Sequence, residues 1–437
     1  AQTFGALGWL RGANKTLYAD MERILDAATN LALGSQRRRI TDNEFKYIRS
    51  IDTDLMLKHL QSVDDDALAI GQGNEKASLR RTCTDTIRAL GHLQGIGWGW
   101  ISFKGETAQL HSAALHPSLR AGSGIILDAT AGLYPGYGLL SPPATLISAA
   151  EDTRRYEHVT LHLAWGQVAG KESLAREAKR LWPQYRAAIQ SNLSSGERVL
   201  VCCHEDFERA VYDDADNSTE VTFAHYGNID GSNDWNDYEA VALIGLHHLP
   251  AAVHINTAQA LLGPQSDQWL QDADARTVGT NGDIVAAMQR AHLAITAVQA
   301  ATRVRCRKVI DDRGHCLPTK IFIALPSNTD GRAVYSAILN YMPGVQVKTW
   351  AFNAGRKRAR SDRGIKKLLD FVSGLPRGGV CTKAQVRVSA KIGAASLDRA
   401  IRVLNDPETN ERSQLAALGI TYHLRIGRGA ESFFKRA

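Results

Sequence analysis

A chain of 437 residues, 44% hydrophobic and 22% charged, is long enough to bury two or three cores and is not a disordered polyelectrolyte. It holds no apolar run of about 18 residues and no secretory pattern at its start, which argues against a membrane span and an exported scaffold. Its formal charge of +7 is unevenly placed: residues 345–437 carry 19 Lys and Arg against 7 Asp and Glu, and the rest carries 33 against 38. A near-neutral body with a basic end fits a nucleic-acid partner.

Residues 1–95 read as helical and polar. Apolar residues recur at helical spacing over 19–33, again over 41–60, and a third helix is expected over 78–93. Residues 98–104 and 107–114 look like a hairpin around Gly105 and Glu106. The segment 124–129 (GIILDA) is a continuous apolar run, the pattern of a strand buried on both faces. From there strands and helices alternate. Strands are expected at 158–164, 198–203, 219–225, 239–245, 319–325 and 345–351. Helices are expected at 174–191, 205–212, 283–301 and 331–341. Such alternation implies a parallel sheet covered by helices on both faces, an α/β architecture. The end is different: three short helices at 364–372, 382–390 and 395–405, then strands at 421–426 and 431–435, the pattern of a winged helix.

Six cysteines, Cys83, Cys202, Cys203, Cys306, Cys316 and Cys381, show neither CxxC pairs nor zinc spacing. Buried, reduced thiols of a cytoplasmic protein are expected. No metal site is expected either, since His247 and His248 have no third ligand at suitable spacing.

The segment 299–307 (QAATRVRCR) closes a long helix and places Arg303, Arg305 and Arg307 where they can reach one polyanion. Arg303 suits a finger that stabilises charge on a transferring phosphoryl group, with Gln299 one turn earlier supporting it. A basic, solvated helix end is the plainer reading of the same residues. Around 226–234 (YGNIDGSND), Gly231 would let the backbone approach a phosphate, with Ser232 and Asn233 as hydrogen-bond donors. In the basic end, Arg356, Lys357, Arg358, Arg360 and Arg363 crowd together after Trp350, an aromatic suited to stacking on an unpaired base. Arg399 and Arg402 lie on the polar face of the helix whose apolar face is Leu397, Ile401 and Leu404, the division a recognition helix needs. Arg425 and Arg428 would flank the wing.

These segments occur in an order that resembles the superfamily two helicases. Residues 299–307 resemble motif VI, with Thr302 in place of its first glycine and Cys306 where a second arginine often stands. Residues 124–131 resemble motif III, with Thr130 as its hydroxyl. Residues 198–204 resemble the strand opening motif IV, and 226–234 resemble motif V. The resemblance covers roughly residues 120–330. It implies the second RecA-like domain at 152–350, preceded by the end of the first at 96–151, a helical region at 1–95 belonging to the first, and a basic DNA-binding domain at 351–437. It further implies that ATP and Mg2+ bind between two RecA-like domains. Arg303, Arg305 and Gln299 would act in catalysis, and Thr130, Gly231 and Arg307 would contact nucleotide. The partner would be single-stranded or forked DNA, in replication of a plasmid, phage or mobile element.

Neither GxxxxGK[ST] nor a DExH box occurs in the chain. Lys15 and Lys171 are the nearest approaches to a phosphate-loop lysine. Asn14 replaces the glycine beside Lys15, and Glu172 stands where a hydroxyl should follow Lys171. The expectation is therefore the carboxy-terminal part of a helicase whose phosphate loop lies upstream or in another chain. The rival is a degenerate, non-catalytic DNA-binding replication or regulatory factor.

Overall fold

The computed structural model describes residues 36–62, 73–104, 107–116, 124–147, 153–166, 170–211, 220–229, 231–352, 360–405, 419–423 and 433–436, with a few isolated positions besides. Its centre is a six-stranded, wholly parallel sheet. In chain order the strands are β4 (Val159–Trp165), β5 (Val199–Cys203), β6 (Val221–His225), β7 (Ala240–Leu243), β8 (Thr319–Leu325) and β9 (Gln346–Thr349). In space they run β6-β5-β7-β8-β4-β9. The run VLVCC of β5 is buried at every position, as expected of a strand covered on both sides.

Alternation along each strand divides the core in two. Leu200 and Cys202 of β5 and Leu161 and Leu163 of β4 face one layer. Helices α9 (Ile284–Ala301) and α10 (Thr329–Tyr341) cover it. Val199, Val201 and Cys203 face the other. Helices α4 (Lys171–Arg176), α5 (Ala178–Gln190) and α6 (Glu205–Val211) cover that side. The single helix expected over 174–191 is thus two, because Glu177 leaves helical geometry at φ −104° and ψ 9°. Where β8 turns into α10, a Cβ on Gly331 would lie 1.9 Å from the Pro326 carbonyl oxygen. Backbone cannot yield there as a side chain could. Gly331→Ala is expected to cost about 3 kcal/mol or more, read as a lower denaturant midpoint at unchanged m-value.

Ahead of the sheet, α1 (Asp42–Arg49), α2 (Thr53–Gln61) and α3 (Gly73–Ile96) lie beside a small antiparallel sheet. That sheet is β1 (Arg38–Arg39), β2 (Trp100–Lys104) and β3 (Thr107–His111), with β2 central. Arg39 pairs with Trp100, so strand pairing crosses the boundary expected at residue 95. Trp100 is fully buried against Ile255, Trp269 and Met288. These belong to α7 (Ala251–Leu262), α8 (Asp267–Gln271) and α9, and the first two helices were not expected. Pro250 and Gly263 bracket α7, but its AAVHINTAQALL is apolar on most sides and shows no period.

The strand expected at 124–129 does not form. Residues 124–128 are extended without a ladder partner among the described residues, and Ile125 and Leu127 are 90% and 95% exposed. An apolar run becomes a buried strand only where a sheet offers it neighbours, and among the described residues no strand flanks it.

The basic end forms its own core around Leu368, Val386, Leu397, Leu404 and Phe434. Helices α11 (Arg360–Ser373), α12 (Lys383–Ser389) and α13 (Ala394–Asn405) pack on a three-stranded antiparallel sheet. Its strands are β10 (Val380–Thr382), β11 (Ile420–His423) and β12 (Phe433–Arg436), with β12 central. Strand β10 escaped the sequence pattern because three residues are too few to show alternation. All six cysteines are buried and none forms a disulfide. No helix among the described residues is long and apolar enough to cross a membrane.

Candidate functional site

Three segments far apart in sequence converge where α9 ends. Helix α9 starts with Asp283 accepting from the Val285 and Ala286 amides, and it stops at Thr302, whose hydroxyl turns back to the Val298 carbonyl at 3.0 Å. In its last turn Gln299 Nε2 reaches Thr130 Oγ1 at 3.5 Å. Just past its end Arg303 Nη1 reaches the Ser232 carbonyl at 3.5 Å. Arg307 Nη1 donates to Asn233 Oδ1 at 2.8 Å. The residues expected to act together at 130, 231–233 and 299–307 therefore do adjoin one another.

Each arm of the cluster is fixed locally. Thr130 is 3% exposed. Its amide and hydroxyl both donate to Asp128 Oδ1, at 2.8 and 2.7 Å. Tyr137 donates to the other carboxylate oxygen at 2.8 Å. Burial by itself would raise the Asp128 pKa, but these three donors outweigh it and hold the carboxyl below its usual range. Gly231 has φ +81°, which disfavours a side chain there, although its Cβ position is open. The Ser232 hydroxyl donates to Asp234 Oδ2 at 2.6 Å, so it is not free to donate elsewhere.

The three arginines are not equivalent. Arg305 donates to the Pro318 carbonyl and, at 3.2 Å, to Glu239 Oε1. Glu239 Oε2 meanwhile accepts from the Arg198 amide at 2.8 Å. Arg305 is thus a strut between the starts of β7 and β8. Arg303 is half-buried, and Arg307 is exposed. Of the three, Arg307 is the most exposed. Cys306 is buried at 0% exposure, so no second charge is presented from that position.

The cluster lies at the amino edge of β7 and β8. A ligand bound within a single open α/β sheet ordinarily sits at the carboxyl edge. Here that edge holds Lys171 and a row of histidines instead. Lys171 opens the six-residue α4, and its Nζ lies 3.3 Å from Asp206 Oδ2. His204, His247, His292 and His254 follow one another with ring centroids 6.3, 5.3 and 5.8 Å apart. Tyr226 stacks on His247 at 5.2 Å. No group of three His, Cys, Asp or Glu with metal-binding geometry exists among the described residues. The row had no sequence signature, because its members come from four separate elements.

Trp350 is not available to a base. It is 4% exposed and stacked on Phe352 with centroids 4.4 Å apart. Its indole N–H points to the Ala188 carbonyl at 3.3 Å. Its place just before the basic run made it look like a surface aromatic, whereas it closes the core under α5. In the basic end Arg399 is exposed on α13, with Leu397 and Ile401 turned inward. Arg360, Arg363 and Arg402 lie on helices. Arg356, Lys357, Arg358, Arg425 and Arg428 lie outside the described residues. Lys15 is exposed at a helical position far in sequence from any of these groups. No family model matches the chain, and no curated protein matches it.

Proposed function

We propose that this chain supplies one side of a nucleic-acid-dependent ATPase of the helicase type, built on a RecA-like sheet. The observation that carries the reading is the convergence of Thr130, the 231–233 loop and the 299–307 segment through the Gln299, Arg303 and Arg307 contacts. A phosphoryl group in transfer needs positive charge in place rather than covalent chemistry from the protein. Arg303 and Arg307 are held within one loop's reach of each other and suit that task. Their place at the amino edge fits an arginine set that completes a site carried by a neighbouring domain. That neighbour, an upstream region or another chain, would hold ATP and Mg2+ through a phosphate loop this sequence does not contain.

DNA is the proposed partner of the carboxy-terminal domain, which we read as a winged helix. Its order of helix, strand, two helices and two strands supports that reading. So does the surplus of 12 positive charges over residues 345–437. Charge reversal at Arg356, Lys357 and Arg358 tests it. Affinity for single-stranded DNA should fall, and the slope of log affinity against log salt should flatten by about two units. An unchanged slope would remove this segment from the interface.

A non-catalytic DNA-binding factor is the second reading. It is favoured by one pair of facts: Arg305 and Lys171 are both neutralised by carboxylates, through Glu239 and Asp206.

A further inference from the structure

Away from the arginine cluster, a cavity of about 470 Å³ opens between α7, the segment 112–116 and the turn at Pro135–Leu139. One face of α7 supplies Val253, Asn256, Ala260 and Leu261; Tyr137 and Ile126 stand opposite. Ile126 and Val253 are 47% and 40% exposed, so its mouth is apolar. Its polar groups are oriented from behind. Tyr137 is anchored on Asp128 at 2.8 Å. The Asn256 carbonyl oxygen accepts from the Trp100 indole N–H at 2.8 Å. That bond fixes which way the amide points and leaves its two hydrogens as donors.

A cation adjoins this place. Trp100 stacks on His111 with centroids 4.2 Å apart, and Arg39, Trp100 and His111 are in register across β1, β2 and β3. Arg37 lies two residues before Arg39, just outside β1, and is near enough to His111 that, after burial, its charge lowers the His111 pKa. Arg37 is half-buried. Burial, then the nearby Arg276 cation, lower its pKa, and no carboxylate among the described residues counters them.

We propose that this cavity takes one unstacked base of a single-stranded nucleic acid, with the adjoining phosphate held at Arg37. The inference rests on the nucleic-acid reading above and names a subsite for it. A base needs flat apolar walls and an aromatic face, and polar groups only at its edge. The cavity is in the size range of small-ligand pockets and cannot admit a duplex. The amide donors at Asn256 favour a base edge rich in carbonyl oxygens, as in thymine or uracil.

The experiment compares binding of oligothymidylate and of an abasic deoxyribose-phosphate oligomer of equal length, by fluorescence anisotropy across a salt series. The wild-type chain should prefer oligothymidylate by about tenfold or more. Ala260→Trp, which fills the cavity, should remove that preference and leave abasic binding unchanged. Val253→Asp at the exposed mouth should do the same if the tryptophan variant misfolds. Arg37→Ala should lower the salt slope for both oligomers by about one. Equal affinity for the two oligomers in the wild type overturns the proposal, as does an unaltered preference in both cavity variants. Saturation of the cavity by free thymidine monophosphate, without any response to the oligomer, also overturns it. Binding of neither oligomer would remove the nucleic-acid reading itself, whereas salt-sensitive binding without base preference removes only the cavity.

Discussion

Arg303→Ala should lower DNA-stimulated ATP turnover by about a thousandfold while leaving affinity for single-stranded DNA within about twofold. The magnitude is that of an arginine acting on a transferring phosphoryl group. It follows from the placement of Arg303 against the 231–233 loop, where its Nη1 meets the Ser232 carbonyl at 3.5 Å. It also follows from what Arg305 does. Arg305 is tied to Glu239 and to the Pro318 carbonyl, so Arg305→Ala should act mainly on stability. Arg307→Ala should give an intermediate loss, because Arg307 is exposed and its guanidinium donates to Asn233. A rank order of Arg303, Arg307, Arg305 in lost turnover would separate a phosphate-facing pair from a strut. Equal losses for all three, matched by equal losses of stability, would mean that the segment is only a basic helix end.

Acid should destabilise the central domain well before its carboxylates titrate. His204 and His292 are each pushed down from 6.5 to about 4. For both, burial is the largest cause and the neighbouring His247 the next. His254 is lowered as well, first by burial and then by His248. A histidine whose folded pKa is depressed binds protons more readily when unfolded. Its neutral form therefore contributes full stability above about pH 6.5, and that contribution is lost as pH falls towards 4. The Nε2 atoms of His254 and His292 are buried without a hydrogen-bond partner among the described residues. His292→Phe should therefore be tolerated at pH 7 and should reduce the acid slope. Denaturant midpoints at pH 7 and pH 5 measure this directly; a variant with the wild-type slope would show that the row does not govern acid stability.

Much of the fold is legible in the sequence because its strands carry unbroken apolar runs. Residues 319–325 and 198–203 read as strands; β8 forms over the first and β5 over 199–203 of the second, with side chains largely covered on two faces. Helix α9 is signalled by Asp283 at its cap and by small apolar residues along its length. Failures occur where one segment's pattern depends on another segment. GIILD has the composition of a central strand, yet no strand borders it among the described residues. Helix α7 lacks a period because it is covered from several sides. Trp350 was placed at a surface by its basic neighbours, although its ring belongs to the core.

The site shows the same division. Glycine with a positive φ at 231, a hydroxyl at 130 and arginines two apart at a helix end can all be picked out by residue type and spacing. Which arginine faces outward cannot, since that depends on Glu239, sixty-six residues before Arg305 in the chain. The histidine row and the cavity beside Trp100 are equally hidden, being assembled from elements that meet only on folding.

The central claim is tested most directly by ATP turnover, with and without single-stranded DNA, in the polypeptide as the cell makes it, wild type against Arg303→Ala. The account predicts DNA-stimulated turnover in the wild type and its near abolition in the variant, with DNA still bound. Undiminished turnover in the variant, or salt-sensitive DNA binding with no hydrolysis in the wild type, would contradict it. The second of those results would leave a non-catalytic DNA-binding protein.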